Sequence, residues 1–111
     1  MNVDLKARWL AALRSGVYQQ GHFVLKDEQN RYCCLGVALD LKDPCKWGAL
    51  EGSEHSTRQG YNWANHPAAL AGRPLSRELG LPDEAAGELA YMNDQQDFNF
   101  AMIADWIEIN L

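Results

Sequence analysis

Apolar positions in the first fifteen residues recur at a helical interval. Leu5, Trp9 and Leu13 stand four apart, Leu10 and Ala12 widen the stripe, and Lys6, Arg8 and Arg14 lie mostly off it. This spacing predicts an amphipathic helix with one buried face. Asn2 or Asp4 can cap it. Gly16 suits its end, because glycine takes left-handed backbone without steric cost. The pattern then changes. Phe23-Val24-Leu25 favours a strand, Asp27-Glu28-Gln29-Asn30 reads as a turn with Asn30 suited to positive φ, and Arg31-Tyr32-Cys33 returns. Together they predict a β-hairpin. Gly21, just before it, marks a bulge or a close backbone contact.

From Cys34 the chain is almost continuously apolar, and Leu35, Ala38, Leu39 and Leu41 predict a short buried helix. Gly36 near its start lets another element come close, and Pro44 cannot continue it. The run 31–41 is the most apolar part of the N-terminal half, so the flanking pieces are expected to pack on it. Residues 44–66 lack a clear period. Trp47, Leu50, Tyr61 and Trp63 anchor them, and 46–50 facing 58–63 would make an irregular hairpin. Long irregular stretches in small domains are often functional. Residues 67–80 hold one or two helical turns, ending at Gly80. Asp83 caps a helix to about Met92 that Asn93-Asp94 ends. Asp97 or Asn99 caps a last helix to about Asn110, with Phe100, Ile103, Ala104, Ile107 and Leu111 as its buried stripe. The expected fold class is α+β in a single domain, 1–111: an N-terminal helix, a β-hairpin, a short buried helix, an irregular middle segment, and two C-terminal helices packed on a small antiparallel sheet.

Composition narrows the function classes. Hydrophobic residues make up 47% of the 111, which argues against disorder. Ten basic against fifteen acidic residues give a net charge of −5, so no direct nucleic acid partner is expected. The same charge fits a basic protein partner or ordinary solubility. The three cysteines are an odd number, two of them adjacent, with no Cys-x-x-Cys. That disfavours a disulfide framework and fits a reducing cytoplasm. No apolar run approaches the roughly 20 residues of a membrane span, and the N-terminus lacks a signal peptide's apolar core.

Candidate chemistry is sparse. Cys33 and Cys34 fall at a helix start, where the dipole favours a thiolate. Cys33 or Cys34 (Cys34 being the one singled out) with His22 or His66 as base, and Asn65 or Asp94 to hold the ring, would make a cysteine hydrolase or transferase. Burial in the core is the competing reading of both thiols. No cysteine or histidine pair has zinc-site spacing, phosphate-binding glycine motifs are absent, and no cofactor is expected. Arg58, Tyr61, Asn62, Trp63, Asn65 and His66 combine aromatic faces with directional hydrogen-bonding groups. That mix suits a small polar ligand or a protein partner, unless Tyr61 and Trp63 only anchor the loop. Tyr18, Gln20 and His22 offer a similar mix, and a joint pocket follows if the two segments meet.

Ala12-Leu13-Arg14-Ser15-Gly16, Tyr18, Gln20-Gly21 and Cys33-Cys34-Leu35-Gly36-Val37 resemble a pattern in small uncharacterised phage and prophage proteins. Met92-Asn93-Asp94, Phe98 or Phe100, and Ile103-Ala104-Asp105-Trp106-Ile107 resemble their C-terminal part. That family has no established activity, so the resemblance supplies no catalytic residues. It implies a phage-type cytoplasmic protein, and many such proteins act on host factors. The expected function is a non-enzymatic binding protein that inhibits or sequesters a host component, such as a host-defence protein or a small nucleotide-like signal.

Overall fold

Asn2 accepts a hydrogen bond from the Leu5 amide at 3.0 Å and starts helix α1, Val3–Ser15; Gly16, at φ 77°, ends it. The computed structural model describes residues 1–51, 59–64, 66–67, 73–95 and 97–111. Trp9 and Leu13 turn inward from α1, and the Trp9 indole N–H donates to the Cys34 carbonyl at 2.9 Å. That bond fixes α1 to the start of helix α2, Cys34–Lys42.

Helix α2 is the centre of the fold. Residues 34–39 are all buried, as a helix that is apolar on every side must be. Cys33 caps it through its sulfur, which accepts from the Gly36 amide at 3.3 Å. Gly36 is required by packing: a Cβ there would overlap the Leu25 carbonyl. The expected close approach is therefore between α2 and the segment before it. Asp43 ends the helix and accepts from the Cys45 amide at 3.0 Å. This opens a single 3-10 turn, Pro44–Lys46.

The sheet lies in the middle segment. Strands β1, Trp47–Glu51, and β2, Gly60–Trp63, are antiparallel, with Trp47 opposite Trp63 and Leu50 opposite Tyr61. The pairing slips between Trp47 and Leu50, as expected of an irregular hairpin. The hairpin expected over 23–33 shrinks to one antiparallel bridge, Lys26 with Tyr32. Two side chains cause this. Asp94 accepts from the Phe23 amide at 2.8 Å and Asn93 donates to the Gly21 carbonyl at 2.9 Å. They hold the chain off the strand path, with Phe23 at φ 69°. Asn30 has the expected positive φ, 60°.

Helix α3, Arg73–Leu79, ends at Gly80 with φ 67°. In helix α4, Asp83–Asp94, the cap position belongs to Pro82 rather than to Asp83. The Asp83 carboxylate instead receives the Ser76 hydroxyl. Asn99 caps helix α5, Phe100–Asn110, accepting from the Met102 amide at 2.9 Å. Phe100, Ile103, Ala104 and Ile107 of α5 meet Leu35 and Leu39 of α2, Trp9 of α1 and Leu89 of α4 in one core. The fold is thus α+β, with a small antiparallel sheet beside a helical body. Among the described residues no helix is long and apolar enough to cross a membrane.

Candidate functional site

Tyr32 joins pieces of chain that the sequence leaves apart. Its amide donates to the Gln19 carbonyl at 2.8 Å, and its carbonyl accepts from the Gly21 amide at 2.7 Å. On its other side it bridges to Lys26, whose carbonyl accepts from the Tyr61 amide of β2 at 2.8 Å. Tyr61 in turn faces Leu50 of β1. Residues 19–21, 32, 26, 61 and 50 therefore run side by side. Strand β2, the described core of the second polar-aromatic segment, is thus linked to residues 19–21 of the first through Tyr32 and Lys26.

At Gly21 two pieces of this ribbon approach closely. A Cβ there would come within 3.0 Å of the Arg31 Cβ. Asp27 holds the turn on the far side, accepting from the Gln29 and Arg31 amides at 2.9 Å and from Arg31 Nε at 2.7 Å.

The side chains on this ribbon form an aromatic row. Tyr18 meets Tyr32 edge-on at 5.0 Å between ring centroids, and Tyr32 meets Trp47 at 6.0 Å. The Lys26 ammonium lies 5.4 Å from the Tyr32 and Trp47 rings and 5.3 Å from Tyr61. These are cation–π distances. Asp40 of α2 backs the row, accepting from the Tyr18 hydroxyl at 2.5 Å and the Trp47 indole N–H at 3.0 Å. Tyr18, Lys26, Tyr32, Asp40, Trp47 and Tyr61 are all partly exposed. Burial, reinforced by Asp40, raises the pKa of both the Tyr18 and the Tyr32 hydroxyl. Both phenols therefore stay protonated at neutral pH. The result is a platform of neutral rings with one ammonium and one braced carboxylate.

The other expected site residues fall elsewhere. Gln20 donates to Asn93 Oδ1 at 3.2 Å and to the Phe98 carbonyl at 3.0 Å. His22 lies beside Phe23, with ring centroids 6.3 Å apart. Trp63 is fully buried and its indole N–H donates to the Asp43 carbonyl at 3.0 Å. It anchors β2 and has no face left for a partner. His66 stacks on Trp63 and approaches Glu78 of α3 at 3.5 Å. Glu78 also meets Lys42 at 3.3 Å, and chiefly through that lysine its pKa is lowered. Asn62 packs over Gly48. Arg58 and Asn65 lie outside the described residues. Lys26, Tyr32 and Asp40 were not singled out by the sequence. The available signal was the recurrence of an aromatic residue, Tyr18, Tyr32, Trp47 and Tyr61, in separate pieces of chain.

The thiols are core residues. Burial pushes Cys33 up to about 11 and Cys34 well above its ordinary value. Desolvation thus outweighs the helix dipole. The Cys34 thiol donates to the Leu89 carbonyl at 3.4 Å and is fully buried. Iodoacetamide on the native protein should label Cys45, which is exposed. Cys33 and Cys34 should react only after unfolding, as mass spectrometry of labelled peptides will report. Rapid native labelling of Cys34 would restore the nucleophile reading. Among the described residues no three histidine, cysteine or carboxylate side chains converge as a metal site would require.

Comparison with known proteins finds one family model, described as a domain of unknown function (DUF8296), which matches residues 1–111. No curated protein and no solved structure matches the chain.

Proposed function

The chain belongs to the DUF8296 family of domains of unknown function, and on that premise we propose that it is a non-enzymatic binding protein of phage type. It acts in the host cytoplasm by sequestering or inhibiting a host component, and the aromatic platform is its contact surface. The observation that carries this reading is the convergence of Tyr18, Tyr32, Trp47 and Tyr61, from separate stretches of chain, on one partly exposed row. Large aromatic groups left partly open are the residues that dominate binding energy at protein interfaces. The net charge of −5 favours a basic protein as partner. The phage-type origin rests on the resemblance of the two ends of the chain to phage and prophage proteins.

Trp47→Ala with Tyr61→Ala tests the surface. Paired truncation of two hot-spot aromatics should weaken capture of the host partner by about thirtyfold or more, equivalent to about 2 kcal/mol. Near-UV circular dichroism and the urea midpoint establish that the variant is folded. Undiminished capture by a folded variant overturns the assignment. Native mass spectrometry of protein purified from its host distinguishes a bound small polar ligand from a bound protein.

A further inference from the structure

We propose that Tyr32, Trp47 and Tyr61 form a cation-binding cage whose resident is the protein's own Lys26, and that a cationic side chain of the basic partner takes its place. The inference deepens the binding reading and rests on it for the platform being the contact surface. Four observations lead to it. Three rings from three segments stand at almost equal distances, 5.3 to 5.4 Å, from a single ammonium. Among the described residues that ammonium has no carboxylate and no hydrogen-bond acceptor, so ring faces are what hold it. The walls are fixed independently of it. Tyr32 and Tyr61 are held by backbone bonds on either side of residue 26, and Trp47 by its indole bond to Asp40. Asp40, braced by Tyr18 as well, adds negative potential behind the rings while forming no ion pair with Lys26.

A primary ammonium is a poor permanent resident of such a cage. It is strongly hydrated, and among the described residues no oxygen acceptor meets it here. Its flexible four-carbon stem lets it swing into solvent without moving the backbone that carries the walls. A guanidinium, or an ammonium carrying methyl groups, is more weakly hydrated and suits ring faces better. The tethered Lys26 therefore acts as a competitive plug. It keeps the rings covered in the free protein and yields to a cation that the partner's other contacts hold in place. The acidic balance of the chain draws such a partner in.

Tetramethylammonium chloride is the probe, titrated into the wild type, Lys26→Ala and Lys26→Met at constant ionic strength with sodium chloride as control. The Trp47 indole N–H resonance reports occupancy. Lys26→Ala should bind the probe saturably, with an affinity at least about tenfold above the wild type, because the tethered competitor is gone. Lys26→Ala with Tyr61→Ala should not bind it. A folded Lys26→Ala or Lys26→Met protein that gives no saturable shift overturns the proposal. If both variants fail to fold, the wild type still decides: the Lys26 ε-methylene protons must be displaced upfield by the ring currents, and ordinary shifts overturn the cage. This readout is independent of partner capture. Loss of capture on truncating Trp47 and Tyr61 together with an inert Lys26→Ala sinks the cage alone. A working cage with undiminished capture sinks the contact-surface reading, and with it the partner's cation as the cage's ligand.

Discussion

Gly36→Ala should lower the folding stability by about 3 kcal/mol or prevent folding, although alanine is the better helix former. The two effects oppose each other. Alanine in a helix gains about 1 kcal/mol over glycine. Against this, the added methyl group overlaps the Leu25 carbonyl, which is backbone and cannot rotate away. That carbonyl also accepts from the Cys33 amide at 3.1 Å, so moving it disturbs the bridge that sets Lys26 beside Tyr32. Overpacking a close contact costs about 1–3 kcal/mol before any hydrogen bond is lost. Gly87→Ala is the matched control. Gly87 is an exposed position of α4 where a Cβ would meet nothing within 4 Å, so that change should stabilise by up to about 1 kcal/mol. Urea midpoints at unchanged slope measure both. A wild-type midpoint for Gly36→Ala would refute the packing of α2 against residue 25.

Asn93→Leu should cost about 3 kcal/mol. Asn93 is completely buried at the end of α4. Its carboxamide oxygen accepts from the Cys34 amide at 3.0 Å, one of the amides that the start of α2 leaves without a helical partner, and from Gln20 at 3.2 Å. Its amide nitrogen donates to the Gly21 carbonyl at 2.9 Å. Leucine fills the space but leaves a buried N–H and a buried carbonyl unpaired, each costing about 1–3 kcal/mol. Asn93→Asp adds a pH signature. Burial beside Asp94 raises the pKa of the new carboxyl above its unfolded value. The neutral acid can reproduce both bonds, its hydroxyl donating to Gly21 and its carbonyl accepting from Cys34. The variant's stability relative to wild type is therefore retained below the ordinary carboxylate range, near pH 4, and lost as pH rises through the folded pKa. A deficit that does not change with pH would show that residue 93 is not held in this dry environment.

These residues also show what could be read from the sequence. Gly36, Asn30, Gly16 and the Asn2 and Asn99 caps act through backbone within a few positions, or through the absence of a side chain, and local pattern exposes such constraints. Phe23-Val24-Leu25 shows the limit. Their β-propensity is real, but Asn93 and Asp94 capture the neighbouring backbone from about seventy residues away, and nothing near residue 23 announces that. The candidate site divides in the same way. Tyr18 and Tyr61 are visible as aromatic residues in polar surroundings. Tyr61 and Trp63 stand two positions apart, where a strand's period of two assigns them to one face; Trp63 is nevertheless the buried one, because the Asp43 carbonyl takes its indole N–H and His66 stacks on its ring, contacts that no local pattern announces. Lys26 reads as an ordinary charge at a strand end. Its role depends on three rings whose positions are set by the registers of other segments.

The Asn93 carboxamide also imposes an order on the making of the molecule. Gln20, Gly21 and Cys34 leave the ribosome early, but the group that ties them together comes 59 to 73 residues later. A nascent chain ending before α4 lacks the clasp that seats residues 19–34. The aromatic row therefore reaches its final arrangement only once nearly all of the domain has been synthesised.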